Sequence, residues 1–229
     1  MNQIKAYDFP LRVFHWLFAF LFSFSFLVAK VIDDESATYA FHMISGMLMI
    51  ILLFFRLIWG LVGSKYSKFS SFKLKLVDLK AYFLSLFRGK TTRYPGHNPA
   101  SSFAASFMFF FTILMAISGL LMVLKFKKYF FEEIHEIVSS GFAILVGLHI
   151  LGVIFHQLRH KDGLIYSMIN GKKENFNPEE GIKSNHLLIA LFFVAGFLYL
   201  SFNLYQRFDA HSGNLKLGNY SLHLVDVED

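Results

Sequence analysis

Residues 134–155, IHEIVSSGFAILVGLHILGVIF, form an apolar run that is long enough to cross a bilayer and yet carries two histidines, His135 and His149. A hydrocarbon core of about 30 Å needs roughly 20 apolar residues in a helix, and an ionisable side chain inside such a span is costly enough to imply a function. The two histidines are 14 residues apart. At about 1.5 Å rise per residue and 3.6 residues per turn they share nearly one azimuth and lie about 21 Å apart along the axis. One helix therefore presents two imidazoles on one face at two depths.

The surrounding chain has the same character. Of 229 residues 55% are hydrophobic and 30 are Phe, which is too apolar for an ordinary water-soluble domain. Residues 11–29, 41–62, 103–124 and 187–204 are the other candidate spans. Five crossings would put the two termini on opposite sides. The first run is too long for the apolar region of a signal peptide, and no small-residue cleavage site precedes Lys30-Val31-Ile32-Asp33, so it reads as a retained span.

The chain has no cysteine, which excludes disulfides, iron-sulfur clusters and covalently attached haem. The net charge of +6 does not point to nucleic acid, because Lys and Arg concentrate in loops between spans. With the N-terminus placed in the cytoplasm, 15 of them fall on the cytoplasmic side and 6 on the outer side, in accord with the positive-inside rule. The tail after Leu204 is then periplasmic.

In the basic loop, residues 72–84 place Leu74, Val77, Ala81 and Leu84 at helical spacing among lysines, which predicts an amphipathic helix on the membrane surface. Asn98-Pro99 has the form of an N-cap followed by proline at the first helical position. The third span carries no charge and no histidine and is expected to pack and shield. Gly119, Gly141, Gly147 and Gly152 allow close helix approach or leave room for a flat ligand. The fifth span reads as peripheral, and no internal repeat is evident.

Two further histidines join the pair on the fourth span. On this topology His42 and His135 both begin their spans at the outer face, while His15 and His149 lie one to two turns inside the cytoplasmic end. The pairs His42/His135 and His15/His149 follow. A haem held by two axial imidazoles needs ligands at matching heights on different helices, whereas zinc gathers three or four ligands at one point. Two stacked b-type haems fit this arrangement. His156, about two turns beyond His149, has three readings: a ligand in place of His149, a quinone contact, or an interface residue. Arg12 and Arg56 either meet haem propionates or snorkel to the interface. His97, His160, His186, His211 and His223 are expected at solvated positions.

The stretches Tyr7-Asp8-Phe9-Pro10-Leu11-Arg12-Val13-Phe14-His15-Trp16, His42-Met43-Ile44-Ser45-Gly46, Arg56-Leu57-Ile58-Trp59-Gly60, Gly96-His97-Asn98-Pro99, His135-Glu136 and Gly147-Leu148-His149 resemble the bacterial di-haem cytochrome b561 family. That family includes the b-type cytochrome subunits of nickel-iron hydrogenases and similar thiosulfate-reductase cytochromes. The resemblance covers about residues 7 to 173. It implies an all-α four-helix transmembrane bundle with two b haems, ligated by His15, His42, His135 and His149, and a quinone near His156.

The expected organisation is a di-haem domain at 1–173, a linker and fifth transmembrane helix at 174–204, and a periplasmic tail at 205–229. The expected function is electron transfer between the quinone pool and a periplasmic redox partner, such as a cytochrome c or a hydrogenase or reductase subunit, in the bacterial inner membrane. The outer loop containing Lys125, Lys127 and Lys128 and the tail are candidate docking elements. The alternative is a superoxide oxidase that reduces quinone without a protein partner, as some small family members do. A haem-free scaffold or transporter is the remaining reading.

Overall fold

The computed structural model describes residues 3–88 and 92–225. The outermost residues of the expected first domain and tail, and Lys90 of the basic loop, lie outside the described residues. Strand β1 (Gln3–Lys5) leads into helix α1 (Phe9–Val31), followed by α2 (Ala40–Val62), α3 (Leu76–Phe87), α4 (Pro99–Val123) and α5 (Lys128–His160). A short α6 (Leu164–Asn170), strand β2 (Lys172–Glu174) and α7 (Leu187–Arg207) come next. The described chain ends in β3 (Phe208–Asp209), β4 (Asn214–Leu217) and β5 (Tyr220–His223). Helices α1, α2, α4, α5 and α7 are long and apolar enough to cross a membrane, so this is a multi-pass membrane protein.

The long helices start where their caps dictate. Asp8 is extended and its carboxylate accepts from the Leu11 amide at 2.9 Å, with Pro10 in the first turn of α1. Asn98 does the same for α4, accepting from the Ser101 amide at 2.8 Å, and Pro99 occupies the first helical position as expected. Helix α3 begins after Lys75, so Leu74 lies outside it. Leu76 and Val77 are exposed, while Tyr82 turns inward.

Backbone packing falls into two antiparallel hairpins, α1 with α2 and α4 with α5, which meet mainly through α2 and α4. Helix α7 lies against α1 and α2 from outside, where Phe193 stacks on Phe55 with ring centroids 3.6 Å apart. Leu21, Ala40, Ile44, Leu48, Leu52 and Phe197 form the main buried cluster of this half.

Two small antiparallel sheets close the ends. β1 pairs with β2, Ile4 opposite Lys173, and β3–β4–β5 form a meander. The tail is folded: Leu215, Leu224 and Val225 are buried against Leu21, Ala40 and Ile44. At the β1–β2 end, Gly171 adopts a φ of +79° and its carbonyl accepts from the amides of Ala6 and Tyr7. A Cβ there would stand 2.7 Å from the Tyr7 oxygen, so both the conformation and the space require glycine.

Asp8 ties this end together. Besides capping α1, its fully buried carboxylate accepts from Trp59 Nε1 at 3.1 Å and from the Ser67 hydroxyl at 2.9 Å. Trp59 is thus buried in a hydrogen-bonded core position and does not act as an interface anchor. Asp8→Ala removes a cap and leaves buried donors without acceptors, a loss on the order of 3 kcal/mol. A marked fall in Tm of the detergent-solubilised variant is expected, and an unchanged Tm would contradict this role.

Candidate functional site

At the meander end the rings of His42 on α2 and His135 on α5 face each other, with centroids 6.1 Å apart and planes at 80°. Each has a serine behind it, 17 residues earlier on the preceding helix. His42 Nδ1 lies 2.9 Å from the Ser25 hydroxyl and 3.0 Å from the Ser25 carbonyl; His135 Nδ1 lies 2.9 Å from the Ser118 hydroxyl. The Nδ1 atoms are occupied, and the Nε2 atoms remain for a ligand.

Two imidazoles that share one metal through nitrogens at about 2 Å each hold their centroids about 6 Å apart. The observed separation fits that of a bis-imidazole site. One turn from His42, an added Cβ at Gly46 would meet nothing within 4 Å, so there is room beside the pair on the same helix face. Among the described residues no group of three or more His, Cys, Asp or Glu gathers at one point, so the zinc-like alternative finds no donor set there.

Halfway along α5 between its two histidines, Phe142 is almost wholly buried and packs edge-on against Phe22 at 4.7 Å and against Phe18 at 6.3 Å, both on α1. His15, Phe18, Phe22 and Ser25 follow one another at helical spacing, so a single stripe of α1 faces this seam. Below Phe142, His15 and His149 lie close enough to interact electrostatically.

Two arginines and a further histidine lie toward that end. Arg56, 14 residues beyond His42, is only 2% exposed, with its guanidinium against Phe69, Phe109 and Phe14 at 4.7, 5.3 and 6.0 Å and its Nη1 unpartnered. It does not snorkel. Arg12 is drawn elsewhere: it donates to the Ile169 and Asp8 carbonyls and to Asn185 Oδ1. His97, expected at a solvated position, is half-buried between Phe72 and Tyr7, with ring centroids 4.9 and 5.9 Å away. Burial first, and then the charges of Arg56, Lys173 and His149, push its pKa down to about 3. It is a neutral imidazole with an unpartnered Nδ1.

His156 lies deeper toward the β1–β2 end. Its Nε2 is 3.2 Å from Asp162 Oδ2, its Nδ1 is 3.4 Å from the Tyr82 hydroxyl, and its ring stacks on His160 at 4.2 Å. Both nitrogens of His156 are occupied by protein, in contrast to those of His149. His160 is buried as well, not solvated as expected. Burial acts to raise the Asp162 pKa, but the His156 hydrogen bond and the Lys173 charge outweigh it and hold the carboxyl below its usual range.

Residues 6–171 match the family described as Prokaryotic cytochrome b561. The chain belongs to that family. Curated relatives called "Probable Ni/Fe-hydrogenase 1 B-type cytochrome subunit", from Escherichia coli K12 and O157:H7, are each 26% identical over 223 residues, covering 76% of this chain and 93% of theirs. No solved structure matches. Membership implies the haem cofactors typical of cytochrome b561 proteins and electron transfer as the class of chemistry.

Ser25 and Ser118 are polar residues inside apolar runs, which is a visible but weak signal. Their matched spacing to His42 and His135 relates the two hairpins where no repeat is evident in the sequence. Lys173 carries no local signal at all. Its ammonium is buried, donates to the Tyr94 and Gly96 carbonyls at 3.1 and 3.3 Å, and lies over the Tyr7 ring.

Burial pulls the Lys173 pKa down to about 8, against the opposing pull of Asp162. An unfolded lysine keeps its proton to about pH 10.4, so between these values the unfolded chain binds more protons and stability rises with pH. The full cost of burying the charge is present below about pH 8. Wild type should gain on the order of 3 kcal/mol relative to Lys173→Met across this window, as read from paired denaturation curves. Parallel pH profiles would contradict it.

Proposed function

We propose that this cytochrome b561 family member binds two b haems, one between His42 and His135 and one between His15 and His149, and transfers electrons between membrane quinone and a redox protein at the periplasmic face. The observation that carries the reading is the opposed His42/His135 pair, each imidazole backed by a serine and separated by the distance a shared metal requires. Held by these four imidazoles, the haems would supply one-electron transfer. The relatives' names give a hydrogenase subunit as the type of partner.

The chain's own residues divide the remaining work. Phe142, Phe18 and Phe22 fill the seam between the two levels and exclude water. Arg56, with its unpartnered Nη1, is positioned to meet a propionate of the second haem. Tyr82, His156, Asp162 and Lys173 form a line of titratable groups at the β1–β2 end, suited to carrying the protons that accompany quinone chemistry. Orientation follows the distribution of Lys and Arg, with the β1–β2 end cytoplasmic and the meander periplasmic.

His42→Ala or His135→Ala should halve the haem content and leave the second haem spectrally intact; retention of both haems with unchanged spectra would overturn the pairing. His156→Ala should slow electron exchange with quinone about tenfold or more while both haems stay bound, the loss of one general acid–base group. Haem loss in that variant would instead make His156 a ligand.

Because the chain has no cysteine, single substitutions report topology directly. Lys216→Cys should react with an impermeant maleimide in intact cells, and Lys75→Cys only after lysis. The reverse pattern would invert the orientation.

A further inference from the structure

The two histidine pairs differ in what stands behind them. A carbonyl oxygen can only accept, so Nδ1 of His42, 3.0 Å from the Ser25 carbonyl, carries the proton and Nε2 the lone pair. On the other hairpin the Ser118 hydroxyl lies within donating reach of the Leu114 and Met115 carbonyls at 2.9 and 3.1 Å and 2.9 Å from His135 Nδ1, and the Met115 carbonyl is a backbone acceptor for His135 as well, so Nδ1 of His135 also carries the proton. Both imidazoles are therefore in the same tautomer, with the lone pair on Nε2. Among the described residues no protein group hydrogen-bonds a ring nitrogen of His15 or His149.

An acceptor on Nδ1–H pushes electron density onto Nε2 and makes the imidazole a more basic ligand, which favours the oxidised form of a bound metal. At the other level the buried Arg56 and Lys173 act on His97 together with His149, and positive charge favours an added electron.

Resting on the haem reading above, we propose that Ser25 and Ser118 are positioning residues that poise the His42/His135 haem at a lower potential than the His15/His149 haem, so that electrons come in at the first site and leave from the second to quinone. Each step moves one electron. The periplasmic redox protein is oxidised by one electron per transfer, and two transfers with two protons taken up at the β1–β2 end convert quinone to quinol.

The test is an equilibrium redox titration of the full-length, haem-loaded protein, with His42→Ala identifying the midpoint that belongs to the His42/His135 pair. That midpoint is expected to be the lower. Ser118→Ala should raise it alone, increasing the reduced-to-oxidised ratio at fixed poise about threefold or more, about 30 mV at 59 mV per tenfold for one electron. Ser118→Thr should restore the wild-type value, and Ser25→Ala, which like Ser118→Ala keeps a backbone carbonyl acceptor, should move the same midpoint in the same direction.

A His42/His135 midpoint that is the higher of the two, or a Ser118→Ala variant that shifts neither midpoint or only the other, overturns the proposal while the haem reading stands. A wild type without two titrating haems sinks the haem reading itself. If Ser118→Ala loses its haem, Ser25→Ala carries the test, and a lower midpoint that does not move overturns the proposal.

Discussion

An imidazole inside an apolar bundle has two nitrogens to satisfy and no water to satisfy them with. At the meander end, Ser25 and Ser118 take one nitrogen of each facing histidine and leave the other turned into the space between hairpins. The hairpins α1–α2 and α4–α5 pack closely within themselves and touch each other mainly through α2 and α4, so the seam beside α1 and α5 is left to side chains and ligands. Phe142 fills it between the two levels and separates one pair of histidines from the other.

The β1–β2 end solves a different problem, which is how to hold several charges where lipid begins. Asp8 spends its carboxylate on a helix cap, an indole and a serine, and so joins the start of α1 to the end of α2 without a salt bridge. Lys173 is held by two backbone carbonyls and the Tyr7 ring. His156 and Asp162 pair beneath Tyr82. Charged and titratable side chains are thus held at this end by backbone carbonyls, rings and one another.

The five long helices were legible because hydropathy acts over some twenty residues, and the caps at Asp8 and Asn98 only lengthened α1 and α4 at their starts. The closeness of His42 to His135 was legible from depth alone. The two sheets were not, since strands of two to four residues carry too little alternation to be read. Nor was the withdrawal of His97, His160 and Lys173 from solvent. His97 and His160 sit at the ends of spans and Lys173 in the connection between two, where local composition suggests solvent, and segments distant in sequence cover two of them, Phe72 over His97 and Tyr94 over Lys173. The serine behind each histidine was hidden for the same reason: a lone serine in a span most often bonds its own helix, as Ser201 does to the Phe197 carbonyl.

Four histidines on three helices are proposed to form two bis-imidazole haem sites. A pyridine haemochrome assay on the purified protein, with low-temperature electron paramagnetic resonance of the same oxidised sample, decides whether they do. Two b-type haems per chain are expected, both low-spin ferric with bis-imidazole signatures. A stoichiometry below two in fully loaded protein, or a high-spin ferric signal from a haem with an open axial position, would contradict the proposal.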